Sequence, residues 1–173
     1  MSDREQKRAQ FDNQKGSGRK LLIPVLALLA IAVAAAIAWT LVQPLSAGAT
    51  VVEARADGTI RFSNADFADG KARFYRYQGP SETIDFFLVK SRDGVIRAAF
   101  DSCDVCYKEG KGYRQEGHDM VCNNCDQHFR ADLVNVVKGG CNPAPLLRQQ
   151  QGSEVVITVA DLQQGARYFT ARN

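Results

Sequence analysis

The sequence predicts a mainly β domain, with α+β as its alternative class. One N-terminal transmembrane helix precedes the domain, and a cysteine-rich metal-knuckle insert interrupts it. Three observations predict this. Residues 21–42 carry no charge and hold Thr40 as their one clearly polar side chain. Beyond Thr50 the chain contains several short runs in which apolar side chains alternate or β-branched residues cluster. All five cysteines and both histidines fall within residues 101–142, a stretch with few large aliphatics.

The 173 residues divide into a tail (1–20), an anchor (21–43) and a domain (50–173). The tail carries six basic residues (Arg4, Lys7, Arg8, Lys15, Arg19, Lys20) and three acidic ones (Asp3, Glu5, Asp12), with no apolar face at helical spacing. At about 1.5 Å rise per residue the apolar run spans about 33 Å, the thickness of a bilayer core. Pro24 near its start is compatible with a membrane helix. Arg19 and Lys20 abut the run, and no basic residue follows until Arg55. The positive-inside rule therefore places the tail in the cytoplasm and the domain in the periplasm, on a single-pass anchor in the inner-membrane bilayer. A cleaved signal peptide is the alternative, with Ala47-Gly48-Ala49 as a small-x-small site. The apolar run is longer than the roughly 7–15 residues of a signal core. Both readings put the domain in the same compartment.

The net charge of +3 resides in the tail, because the domain carries sixteen basic and sixteen acidic residues. No basic stripe interleaved with aromatics occurs there, so no nucleic-acid partner is expected. Gly-x-Ser-x-Gly, phosphate-loop and His-Glu-x-x-His patterns are absent, which argues against a hydrolase or a nucleotide enzyme.

Within the domain, residues 51–55 and 59–62 read as strands flanking Asp57-Gly58, a two-residue hairpin signal. Residues 71–77 alternate. Residues 83–89 place Ile84, Phe86 and Leu88 on one face and Phe87 and Val89 on the other, the pattern of a strand buried on both sides. Asp93-Gly94 then turns into a strand over 95–100. Phe86, Phe87, Phe100, Phe74, Tyr75 and Tyr77 supply the expected core. Residues 132–137 predict a short helix stopped at Gly139-Gly140. A β-branched strand is expected over 155–159, one helical turn over 161–164, and an extended end over 167–170.

The cysteines follow the pattern Cys103-x2-Cys106-x15-Cys122-x2-Cys125-x15-Cys141. A Cys-x-x-Cys turn lets two sulfurs converge on one ion, and two such knuckles complete a tetrahedral shell. Asn123-Asn124 suits a knuckle because Asn tolerates left-handed backbone angles. The same sulfurs suit a single iron, an iron–sulfur cluster or zinc. Two other chemistries fit the pattern. Structural disulfides suit an oxidising periplasm, though five thiols leave one over. A redox dithiol at Cys122 and Cys125 would serve thiol–disulfide exchange. Clusters are built in the cytosol, and a folded holo-domain is exported by the twin-arginine route, whose signal the tail lacks; the residues alone favour zinc or disulfides over a cluster. Cys141, in Gly139-Gly140-Cys141-Asn142-Pro143, is a candidate fifth ligand. His128 and His118 flank the second knuckle as secondary candidates, and solvated loop histidines are the plainer reading of both. Met120 beside Cys122 would suit a soft ion such as Cu(I), in a copper-handling alternative without a permanent metal.

Four stretches carry a family resemblance: Phe100-Asp101-Ser102-Cys103-Asp104-Val105-Cys106-Tyr107, Lys111-Gly112-Tyr113-Arg114, Met120-Val121-Cys122-Asn123-Asn124-Cys125 and Gly139-Gly140-Cys141-Asn142-Pro143. Together they resemble the bacterial membrane iron–sulfur containing protein, FtrD-like family, over residues 66–169. The resemblance implies a membrane-tethered, periplasm-facing protein associated with iron uptake, alongside an iron permease and a periplasmic iron- and copper-binding protein. It also implies that Cys103, Cys106, Cys122 and Cys125 are metal ligands, with Cys141 as a fifth functional position. The metal implied is iron or an iron–sulfur cluster, where the residues alone leave zinc open.

Overall fold

A computed structural model describes residues 48–170 of the chain. The predicted tail and transmembrane anchor lie outside the described residues. No helix among the described residues is long and apolar enough to cross a membrane. The described part is mainly β with few helices, and it brings the cysteines together.

Among the described residues, ten strands form three sheets. The first contains β1 (Thr50–Val52), β3 (Arg73–Gln78), β4 (Thr83–Lys90) and β5 (Ile96–Phe100) in that order. The second contains β2 (Thr59–Ser63), β10 (Glu154–Thr158) and β9 (Gln149–Gln151). The third, within the cysteine-rich stretch, runs β6 (Tyr113–Glu116), β7 (Asp119–Cys122) and β8 (His128–Arg130). All pairs are antiparallel except β1 with β3, which is parallel.

β4 is the strand on which the rest packs. Its alternation sends Ile84, Phe86 and Leu88 into one core, with Phe62 of β2, Val155 and Ile157 of β10, and Leu162 and Phe169 near the C-terminus. Phe87 and Val89 point the other way, into a second core that includes Tyr113, Met120, Cys103 and Cys122. All five of these β4 side chains are fully buried. At about 1.5–3 kcal/mol for each large apolar side chain removed from water, β4 anchors both layers. The cysteine-bearing insert is thereby packed on a hydrophobic sheet face and is no free loop.

Three local expectations are corrected. Asp57-Gly58 does turn: Gly58 has φ +73° and Gly58 N–H donates to Arg55 O at 2.9 Å. Its flanking strands nevertheless part company, β1 pairing with β3 and β2 with β10, so no hairpin forms. The predicted helix over 132–137 reduces to a 3₁₀ turn at Ala131–Leu133. Asn135 next to it takes φ +64° and donates from Nδ2 to Leu146 O at 2.7 Å, which breaks any helical run. Residues Arg167–Thr170 are helical rather than extended, and they bury Tyr168 and Phe169. The turn before them, Val159–Gln163, is helical as expected and is capped by Thr158, whose Oγ accepts from Asp161 N at 3.0 Å.

Candidate metal centre

Three pieces of chain carry the five sulfurs. Cys103 and Cys106 follow directly on β5. That segment is tied down where Asp101 N–H donates to Asp85 O at 2.9 Å and the Asp101 carboxylate accepts from Tyr113 N–H at 2.6 Å. Cys122 ends β7, and Cys125 closes the tight turn beyond it. There Cys122 N–H donates to Gln127 O at 3.0 Å and Asp126 N–H to Cys122 O at 2.9 Å. The left-handed position of this knuckle falls at Asp126, φ +58°, and not at Asn123 or Asn124. The two asparagines serve through their side chains: Asn123 Nδ2 donates to Lys111 O at 2.8 Å, and Asn124 reaches Cys106.

Cys141 arrives from a distant segment that zips along the end of β5. Phe100 N–H donates to Ala144 O at 2.8 Å and Ala144 N–H to Ser102 O at 2.9 Å, with Ala99 bridged to Pro145. Tyr113 Oη then donates to Cys141 O at 2.6 Å. Tyr113 is buried between Phe87 and Phe129, with ring centroids at 6.1 and 6.3 Å. Its phenol thus acts as a rigid strut from β6 to the Cys141 backbone.

The sulfurs form two trios. Cys103, Cys106 and Cys122 lie within 4.8 Å of one another, and so do Cys106, Cys125 and Cys141. Cys106 belongs to both. Its Sγ lies 3.8 Å from that of Cys141. All five are free thiols. Burial is graded: Cys103 and Cys122 are buried, Cys106 and Cys141 partly so, and Cys125 is exposed.

The electrostatics depend on what each sulfur meets. The Asn124 side chain, hydrogen-bonded to Cys106, holds that thiol below its ordinary pKa; burial opposes it, and the thiols of Cys141, Cys122 and Cys103 assist. Burial pushes Cys122 up to about 11, opposed by the backbone N–H groups of Cys125 and Asn124 aimed at its sulfur. Burial likewise pushes Cys141 up to about 12, with Cys125 and Cys106 adding to the shift. In the first knuckle Cys106 N–H donates to Cys103 Sγ at 3.1 Å. Backbone N–H groups directed at sulfur stabilise thiolate charge. Without a cation, closely spaced thiolates repel and stay protonated; a bound cation reverses that balance.

This donor set fits a thiophilic metal. Five sulfurs, mutually close and partly desolvated, match the preference of iron and zinc for thiolate. The histidines stand apart. Neither belongs to a sulfur trio, and both are exposed. His128 Nδ1 lies 3.5 Å from Asp119 Oδ2 and its Nε2 3.9 Å from Glu116 Oε2. In the strand register His128 pairs with Val121, one residue out of step with Cys122 and Met120, so it points to the opposite sheet face. Met120 is fully buried in the second core. Sequence reasoning missed the positioning roles of Tyr113 and Asp101, and it singled out Asn124 only for its backbone. Gly112-Tyr113 was the available signal: a glycine at φ +62° beside an aromatic that opens a strand.

The family model described as membrane iron-sulfur containing protein FtrD-like matches residues 67–169, a span that holds all five cysteines. No curated protein and no solved structure matches the chain.

Proposed function

This chain belongs to the FtrD-like family of membrane iron–sulfur containing proteins, and from that premise we propose that it is a membrane-anchored, periplasm-facing metal-binding accessory protein of iron uptake. Residues 1–20 are its cytoplasmic tail, 21–43 its single anchor in the inner membrane, and 50–173 its periplasmic domain. Cys103, Cys106, Cys122, Cys125 and Cys141 hold the metal, which is iron, an iron–sulfur cluster or zinc. The convergence of five free thiols in two trios sharing Cys106 carries this reading. The charge step at Arg19-Lys20 and the apolar run behind it support the anchor and its orientation. An iron permease and a periplasmic iron- and copper-binding protein are its expected partners.

Iron at this centre would supply one-electron chemistry, keeping transported iron ferrous; zinc, a d¹⁰ ion, would not. The chain's own contribution is to desolvate the sulfurs, aim N–H groups at them and fix Cys141 through Tyr113. The test is metal analysis, an absorption spectrum and thiol counting on full-length protein isolated anaerobically from membranes of its native host. Bound iron or zinc, with the thiols reactive only after chelation, is the expected result. Metal-free protein with paired disulfides would sink the proposal and favour thiol–disulfide exchange.

A further inference from the structure

We infer that the five cysteines form a two-ion thiolate centre in which Cys106 Sγ bridges an inner and an outer cation. This rests on the metal-binding reading above and extends it to stoichiometry and exchange.

One tetrahedral ion takes four ligands, and the common two- and four-iron clusters are likewise held by four cysteines. Here five sulfurs gather, and among the described residues no four are all within 4.8 Å of one another. They split three and three through a shared member. Thiolates about 2.3 Å from a common tetrahedral ion stand about 3.8 Å apart, so a mutually close trio is the footprint of one ion. The Cys106–Cys141 separation of 3.8 Å matches that edge. Two footprints sharing Cys106 require its sulfur to bond both cations.

Charge favours the same count. Two divalent cations neutralise all but one of five thiolate charges, whereas one cation leaves three in a partly desolvated pocket. The two positions differ in access. The inner one is framed by Cys103, 1% exposed, and Cys122, 2% exposed, in addition to Cys106. The outer one is framed by Cys106, partly buried Cys141 and exposed Cys125. Each trio supplies three ligands, so each cation retains one open position. The inner cation is therefore the structural one, and the outer cation is the one that loads and leaves.

The test uses full-length protein in detergent micelles, reduced and anaerobic, titrated with Cd²⁺ and read by native mass spectrometry and ¹¹³Cd NMR. Two Cd²⁺ per chain are expected, with two thiolate-range resonances coupled to each other through the shared sulfur. A mild chelator should remove one ion before the other. Cys141→Ser and Cys103→Ser each disturb a single trio and should each bind one Cd²⁺; they serve if Cys106→Ser does not fold. In folded Cys106→Ser the coupling should vanish and stoichiometry should fall below two. A single Cd²⁺ at saturation overturns the two-ion centre and leaves the metal-binding reading standing. Two uncoupled ions that persist in Cys106→Ser overturn the bridge. No bound Cd²⁺ overturns both readings.

Discussion

The Sγ atoms of Cys106 and Cys141 lie 3.8 Å apart although 35 positions separate them in the chain. Nothing local brings them together. Cys106 is placed by β5 and the Asp101 contacts; Cys141 is placed by backbone pairing of Ala144 with Phe100 and Ser102. Both placements depend on β5, and β5 depends on β4. The sulfur cluster is thus a consequence of sheet packing, and substitutions remote from sulfur should be readable at the metal.

Tyr113→Phe isolates one such link. Its Oη is the donor to Cys141 O. The variant keeps the ring contacts with Phe87 and Phe129 and deletes the hydroxyl. Leaving a partly buried carbonyl without this donor should cost about 1–2 kcal/mol. Metal affinity should fall about 10-fold, as for other groups that orient a ligand. Competition with a chromophoric chelator measures the second effect and a denaturant midpoint the first. Unchanged affinity would show that the phenol does not position Cys141.

Phe86 and Phe87 are adjacent, equally buried and on opposite faces of β4. Each alanine variant should lose about 3–5 kcal/mol of stability. Only Phe87→Ala opens a cavity beside Cys103, Cys122 and Tyr113. Metal affinity measured under conditions where both variants remain folded should drop for Phe87→Ala and hold for Phe86→Ala. Equal losses would mean that the two cores behave as one.

The doubly buried face pattern of β4 was legible because an eight-residue run with large apolar side chains at both odd and even positions, too short for a buried helix, fits a strand covered on both sides. The cysteine-rich stretch was legible as one locus because two Cys-x-x-Cys turns have few structural uses. The Asp57-Gly58 turn was legible, yet its strands were not, since β2 pairs with β10 some ninety residues away and no local signal records that choice. β6 to β8 were hidden by their length of three or four residues, and β6 and β8 also by their polar side chains. The crosswise grouping of sulfurs around Cys106 was also hidden. Spacing suggests pairs within each knuckle, whereas the trios draw on the path of β5, the β7 turn and the 141–145 segment together.

Gly112 tests how tightly the first knuckle and β6 are joined. It has φ +62°, and a Cβ there would overlap the Asp101 carboxylate that accepts from Tyr113 N–H. Gly117 has nearly the same angle, φ +59°, and a Cβ at that position would meet nothing within 4 Å. Gly117→Ala should therefore cost about 1 kcal/mol, the backbone effect alone. Gly112→Ala should cost about 2–4 kcal/mol, adding a steric clash and a displaced, partly buried carboxylate. Thermal or denaturant unfolding of the two variants separates the contributions. Similar losses would mean that Asp101 moves aside freely.

Acid should weaken the β4–β5 turn through Asp93. Its carboxylate accepts from Arg97 Nη2 at 2.7 Å and Nη1 at 2.9 Å, from Ser91 Oγ at 2.6 Å and from Val95 N–H at 3.1 Å. The Arg97 hydrogen bonds first, then the Ser91 hydroxyl, hold the group well below the usual carboxylate range. A carboxyl whose folded pKa is depressed contributes stability that is fully present above its unfolded value, about 3.9. That contribution is lost as pH falls through the folded value. Asp93→Asn should accordingly lower the denaturant midpoint at neutral pH, and the gap from the parent should narrow as pH drops below about 4. The parent's acid sensitivity should be reduced but not abolished, because Asp57, Asp69, Asp126 and Asp132 are also depressed, by Thr59, Arg73, Arg114 and Arg130 respectively. A gap that stays constant as the pH is lowered from neutral to below about 4 would show that Asp93 acts through turn geometry and not through its charge.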